Sequence, residues 1–159
     1  MLLSIIIPSK NRHELLAQLL LTVDQQVTQS NCLDHVEIIV VDDGSSPALQ
    51  LPSNTLKTQC KLRTLSRHSG APRARQYGLE RASGEFIHFH DSDDSITDGW
   101  LEGIISHLRA TTCFDFLVTA RKVITKDGAT YKKQHLLKNM ASQPHRIKQR
   151  LKYENCLGP

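Results

Sequence analysis

The apolar run Glu85 to His90 (EFIHFH) leads directly into Asp91, Ser92, Asp93 and Asp94, so three carboxylates arrive within four residues. Hard divalent cations such as Mg²⁺ or Mn²⁺ take oxygen ligands, and open α/β sheets present the carboxyl ends of their strands to a ligand crevice. The pattern predicts a cation site at Asp91 and Asp93, with alternate residues directed to one side. The competing structural use is a helix N-cap at Asp94 or Ser95. The same pattern occurs at residues 38 to 46, where IIVV leads into Asp42, Asp43, Gly44, Ser45 and Ser46. Two neighbouring parallel strands would then deliver two acidic rims to one sheet edge.

Asp-Gly-Ser-Ser is also good turn chemistry. In a binding role, a carboxylate of Asp42 or Asp43 accepts from a ligand edge that donates, such as a uracil N3–H or a ribose hydroxyl, while Gly44 allows close backbone approach. Between the rims, the segment from Arg67 to Arg75 is basic and rich in small residues, and it opens a helix. Arg73 and Arg75, with that helix N-terminus, can offset the charge of a diphosphate. His88 and His90 share one side of the strand before Asp91. The His-x-His-x-Asp-His signature of a hydrolytic metal site needs Asp at 92 and His at 93, where this chain has Ser92 and Asp93. An amidohydrolase barrel needs about 250 residues, so the histidines are read as a polar lining or as satisfied core residues.

These groups need a scaffold, and strand and helix signals alternate over the first 112 residues, as in a mostly parallel sheet covered on both faces. Leu2 to Ile7 reads as a first strand ended by Pro8, and His13 to about Gln26 as an amphipathic helix. Val36 to Val41 reads as a strand buried on both faces, with one polar residue, Glu37. Residues 44 to 60, with two prolines, predict at best a short or broken helix. Leu62 to Leu65 is a weak third strand, Pro72 to Ala82 a helix closed by Gly84, and Glu85 to His90 the fourth strand. Thr97 to Arg109 reads as another helix. Phe114 to Lys126 and Thr130 to Lys132 flank Asp127-Gly128, a hairpin signal, and Leu136 to Tyr153 reads as helix interrupted by Pro144. Residues 1–112 thus form an α/β core, and 113–159 a hairpin and helical segment.

The chain has 159 residues, enough for one domain that buries roughly 70% of its unfolded surface. It is 39% hydrophobic and has no run near the ~20 apolar residues of a membrane helix. The formal charge of +4 comes largely from Lys132, Lys133, Lys138, Arg146, Lys148, Arg150 and Lys152, a solvated face that could also meet an anionic membrane surface. Aromatics are 5%, with no stacking platform or recognition-helix motif, which argues against nucleic acid. Cys32, Cys60, Cys113 and Cys156 form no Cys-x-x-Cys pair, which fits a reducing cytosol better than a zinc site or disulfide framework.

The succession SIIIPSKNR (4 to 12), VEIIVVDDGSS (36 to 46) and SGAPRARQYGLERASGEFIHFHDSDD (69 to 94) resembles the N-terminal half of family 2 inverting glycosyltransferases. The resemblance implies a GT-A, Rossmann-like three-layer α/β sandwich. It implies that Asp43 reads the nucleobase, that Asp91 and Asp93 hold Mn²⁺ or Mg²⁺ on a donor diphosphate, and that Pro8 and the residues after it, Lys10 and Arg12, border the nucleotide. Asp42, Gly70, Arg75 and Ser92 complete the expected nucleotide-sugar site. Lys10 stands where an aromatic often stacks on the base, and His68 and Gln76 stand where Asn is usual. The family's general base lies beyond Pro159, so the chain is expected to be a C-terminally truncated, donor-binding part.

The resulting expectation is metal-assisted transfer of a sugar, with inversion, from a nucleoside diphosphate donor such as a UDP-sugar to a hydroxyl of a saccharide or lipid-linked acceptor. It includes a cytoplasmic location, at the inner membrane face for a lipid-linked acceptor, and pairing with a second copy through an exposed sheet edge. Two alternatives come from other classes. One is a non-catalytic nucleotide-binding module. The other is a phosphatase of the haloacid dehalogenase type, suggested by Asp91-Ser-Asp93-Asp-Ser95 but lacking that family's first-strand placement and downstream motifs.

Overall fold

The structure, a computed structural model, describes residues 1–52, 55–110, 121–124 and 130–133. The chain divides into two compact units, Met1–Ala110 and Thr111–Pro159. In the first unit the elements run β1 (Leu3–Ser9), α1 (His13–Gln29), β2 (Val36–Asp42), β3 (Gln59–Thr64), α2 (Ala71–Leu79), β4 (Phe86–Phe89) and α3 (Trp100–Ala110). The four strands form one parallel sheet in the order β3-β2-β1-β4. The expected mostly parallel α/β sheet is present.

The order carries a correction. The two strands that end in acidic residues, β2 and β4, are not neighbours, because β1 lies between them. The connection from β1 to β2 runs in one direction across the sheet and that from β3 to β4 in the other. Right-handed crossovers then put α1 and α2 on opposite faces. Ile6, Ile39 and Val41 pack with Ala74 of α2. Their alternates Ile5, Ile7, Ile38 and Val40, also fully buried, must point to the other face. There α1 and α3 contact one another and bury Leu16, Leu20, Val23 and Val27 from one helix and Leu101, Ile104, Ile105 and Leu108 from the other.

Several boundaries differ from the sequence expectation for identifiable reasons. Strand β1 continues through Pro8, paired in register with Val41. Ile6 O accepts from His90 N, so the even residues of β1 direct their backbone groups toward β4. Pairing with β4 ends at Ile6↔Phe89, and the missing N–H of Pro8 therefore falls where no ladder bond is due. Helix α2 ends at Leu79 rather than Ala82 because Ser83 is drawn off to Glu37. Gly84 is not its C-cap: a Cβ there would lie 2.5 Å from Ser4 N, so this position is kept small by the approach to β1. Helix α3 starts at Trp100, after Gly99 in a left-handed conformation (φ +72°). Strand β4 is half-buried, with Phe89 43% exposed, and not the buried strand its apolar run suggested, because among the described residues it pairs with β1 alone. The described residues between β2 and β3 contain no helix.

In the second unit, β5 (Arg121–Ile124) and β6 (Thr130–Lys133) pair antiparallel with Ile124 opposite Thr130, so a hairpin is present. The Asp127-Gly128 turn, residues 114–120 of the expected first strand, and the expected helix from Leu136 to Tyr153 lie outside the described residues. Among the described residues no helix is long and apolar enough to cross a membrane.

Glu37 fastens the sheet. Its carboxylate is fully buried, and Oε1 accepts from Ser4 Oγ (2.7 Å), Ser83 N (2.6 Å) and Ser83 Oγ (2.7 Å), while Oε2 accepts from Lys61 Nζ (2.9 Å). Burial by itself would raise its pKa, but Lys61, Ser4 and Ser83 outweigh it and hold the group at about 2 instead of 4.5. A carboxylate with a depressed folded-state pKa contributes stability above its unfolded value and loses it as pH falls through the folded value. We therefore expect unfolding free energy, measured by denaturant titration, to decline between pH 4.5 and about 2 in the native chain. In Glu37→Gln that segment should flatten, with a loss of about 3 kcal/mol at neutral pH.

Candidate active site

Strand order changes direction at β1, so the crevice at the carboxyl end of the sheet opens between β1 and β4. Pro8, Lys10 and Arg12 leave β1 on one side of it, and Asp91 to Asp94 leave β4 on the other. Asp91 and Asp93 do not alternate along a strand. They sit in a turn closed by Asp94 N donating to Asp91 O (3.0 Å), and they are approached by different elements. Arg75 Nη2, from α2, lies 2.5 Å from Asp91 Oδ1. Arg12 Nη1, at the start of α1, lies 2.6 Å from Asp93 Oδ1. Ser92 between them is buried, and its Oγ has no hydrogen-bond partner.

The β2 rim has a different character. Asp42 is fully buried and folds the following loop onto itself: Oδ1 accepts from Ser45 N (2.9 Å) and Oδ2 from Leu49 N (3.1 Å). Asp43 braces the loop that enters α2. Its Oδ1 accepts from Ser69 N (2.7 Å), and its Oδ2 from Gly70 N (2.9 Å) and from His68 Nδ1 (2.7 Å). A carboxylate only accepts, so Nδ1 of His68 carries the proton in this contact. About four lone-pair positions are available on a carboxylate, and one on Oδ1 of Asp43 remains for a further donor. Gly70, with φ +86° and ψ 157°, is the N-cap of α2 and adopts a conformation open in practice to glycine alone. The negative charge of Asp43 thus lies beside the positive end of α2.

Two residues that sequence reading passed over tie the first loop to the β2 loop. Asn11 N donates to Ser45 Oγ (2.9 Å), and Asn11 Oδ1 accepts from Ser46 N (2.9 Å). His13 Nε2 meets Pro47 O at 3.1 Å. The signal available for Asn11 was its type, since it occupies a left-handed conformation (φ 54°) that asparagine tolerates. Lys10 is half-buried on the same loop, Pro8 is buried at its base, and Arg73 is exposed on α2.

His88 and His90 form a cluster with Trp100, whose ring meets His88 edge-on at 5.0 Å and His90 at 5.9 Å. Burial, and then the charge of His90, push His88 down to about 4. Among the described residues no group of three or more His, Cys, Asp or Glu side chains could enclose a metal. Asp91 and Asp93 nevertheless suit Mg²⁺ or Mn²⁺, hard cations that take one or two carboxylates and fill the remaining positions with water and substrate phosphate. The unpartnered, buried Ser92 Oγ adds a neutral oxygen between them. Cys32 and Cys60 are free thiols, and burial with the charge of Asp24 pushes Cys60 up to about 12.

The model of Glycosyl transferase family 2 matches residues 4–158. The chain belongs to glycosyltransferase family 2. A glycosyltransferase of Haemophilus influenzae is 36% identical over 104 residues, covering 64% of this chain and 40% of its own length. Bacillus subtilis TuaG, named for teichuronic acid biosynthesis, is 32% identical over 131 residues, covering 80% of this chain and 49% of that protein. The crystal structure of S. aureus TarS 1–349 in complex with UDP has 30% sequence identity and a TM-score of 0.57, over 69% of this chain and 32% of that one. The chain therefore spans about half or less of the curated relatives it matches. Family 2 membership leaves no place for the phosphatase alternative, whose nucleophile loop belongs on a first strand.

Two outcomes follow from this geometry. A Cβ on Gly44 (φ +75°) would lie 2.8 Å from His68 N, so Gly44→Ala should cost about 1–3 kcal/mol and speed amide exchange at Ser69 and Gly70, read by denaturation and hydrogen exchange. Because the folded-state pKa of His88 is lowered, its neutral form contributes stability that is lost as pH falls from 6.5 through about 4. His88→Phe should make stability flatter across that interval, and imidazole NMR titration of the native chain should place the His88 midpoint well below 6.5.

Proposed function

We propose that this chain supplies the donor-binding part of a glycosyltransferase that uses a nucleoside diphosphate sugar, with a UDP-sugar as the donor. The observation that carries the reading is the meeting of three elements at the β1/β4 crevice. These are the Asp43-braced loop at the start of α2, the Pro8–Arg12 loop, and the Asp91–Asp94 turn with its two arginines. The TarS complexes with UDP and with UDP-GlcNAc, at 30% identity, support uracil as the base.

In this reading the remaining acceptor position on Asp43 takes a donor of the base edge, and Pro8 and Lys10 border the base. Gly70 keeps the α2 entrance open to the nucleotide. Arg75 and Arg12 meet the diphosphate, where charge-assisted hydrogen bonds to phosphate are strong. Asp91 and Asp93, with Ser92 beside them, would hold Mn²⁺ or Mg²⁺, which would offset the charge that develops on the leaving diphosphate. Transfer proceeds with inversion to an acceptor hydroxyl, and the general base lies outside the residues assigned here.

A saccharide or lipid-linked acceptor is supported by a Campylobacter jejuni relative, 31% identical over 65% of this chain and named as a GalNAc(5)-diNAcBac-PP-undecaprenol beta-1,3-glucosyltransferase. We place the reaction on the cytoplasmic side of a membrane bearing such an acceptor.

Calorimetric titration with UDP, GDP, dTDP and CDP, each with and without Mn²⁺, tests the reading. UDP should bind most tightly, Mn²⁺ should strengthen it, and Asp93→Ala should abolish the gain from Mn²⁺ while leaving the fold intact by circular dichroism. Equal, metal-independent binding of all four nucleotides, or none at all, would remove the basis for a donor site.

A further inference from the structure

Two of the three acidic groups of the β4 turn, Asp91 and Asp93, are already matched by cations of the chain itself. Asp93 is held by Arg12 and Asp91 by Arg75, so the four paired groups sum to zero charge. The two arginines come from separate elements and converge on one turn. In each pair the contact joins one guanidinium nitrogen to one carboxylate oxygen. A guanidinium has five N–H donors, and Nε of Arg75 is buried with no partner. The Arg12–Asp93 pair is half open to solvent, with 44% and 43% of the two side chains exposed. Open pairs of this kind contribute little and exchange readily.

The charges make the consequence specific. A divalent cation added alone must displace an arginine or add two positive charges to a neutral quartet. A diphosphate added alone must draw an arginine off a carboxylate and leave that carboxylate unpaired. When both arrive, the carboxylates face the cation and the arginines face the phosphates, and no charge is stranded.

We propose that Arg12 and Arg75 occupy the place of the cation in the ligand-free chain and are handed to the donor diphosphate when the cation binds. Arg12 is thus a positioning residue that couples the two ligands. The inference rests on the donor-site reading above. Coupling between two ligands is reciprocal, so Mn²⁺ strengthens UDP binding and UDP strengthens Mn²⁺ binding by one common factor. Part of that factor belongs to the arginine exchange, over and above direct contact between cation and phosphate.

The test measures Mn²⁺ alone by electron paramagnetic resonance, and UDP with and without saturating Mn²⁺ by calorimetry, on the whole chain and on Arg12→Gln and Arg12→Lys. Coupling in the native chain should fall in the range of about 5- to 150-fold. Arg12→Gln should tighten Mn²⁺ alone by about two- to fivefold, weaken UDP at saturating Mn²⁺, and so reduce the coupling factor. Arg12→Lys, which keeps the charge, should lie between and provides the same reading if the Gln variant does not fold. An unchanged coupling factor, or weaker binding of Mn²⁺ alone in Arg12→Gln, overturns the exchange while leaving the donor site standing. Absence of UDP binding in the native chain overturns both.

Discussion

A carboxylate buried in the middle of a sheet is tolerable only when its hydrogen-bonding capacity is met, and Glu37 meets that requirement by drawing on three separate segments. Ser4 belongs to β1, Lys61 to β3, and Ser83 to the link between α2 and β4. Any shift in strand register would strand the charge, so the group fixes how β1, β2, β3 and the approach to β4 lie together. Ser4 extends the arrangement by accepting from Gly84 N (2.8 Å), which brings the chain onto β1 just before β4 begins. The position of Asp91 at the far end of β4 therefore depends on a contact one strand length away.

At the opposite end of β2 the same chemistry shapes loops. Asp42 and Asp43 are adjacent in sequence, yet each gathers the backbone N–H groups of a different loop, one after β2 and one before α2. Asn11 links the first of these loops to the exit of β1. The crevice walls are thus built largely from backbone donors held by buried or half-buried side-chain acceptors. A wall of this kind is pre-organised, and binding energy is not consumed in ordering it.

Much of the scaffold was legible because burial writes itself into local composition. The runs Ile5 to Ile7 and Ile38 to Val41 are apolar on both faces of a strand, as a covered parallel sheet requires, and the spacing of Leu16, Leu20, Val23 and Val27 is that of one helix face. The acidic clusters follow β2 and β4, as the sequence pattern places them. The misplaced boundaries have a common cause. Pro8, Ser83 and Gly84 obey long-range partners rather than local propensity, so Pro8 stays in a strand, the pull of Glu37 on Ser83 ends α2 before Ala82, and Gly84 packs against β1 instead of capping.

The sequence by itself determined the class of the fold and the approximate course of its strands and helices, because hydrophobic periodicity and the composition of buried strands are local properties. Only the tertiary structure decided that β1 separates the two acidic strands, since strand order depends on crossover handedness and on which faces can be covered. It alone decided that Asp42 and Asp43 brace different loops, that Glu37 is a junction of three segments, and that Arg12 and Arg75 settle on different carboxylates of one turn. Most of these contacts join residues distant along the chain, by as many as 81 positions for Arg12 and Asp93. Hydrogen bonds and ion pairs act over a few ångströms in space and leave no periodic trace along the chain.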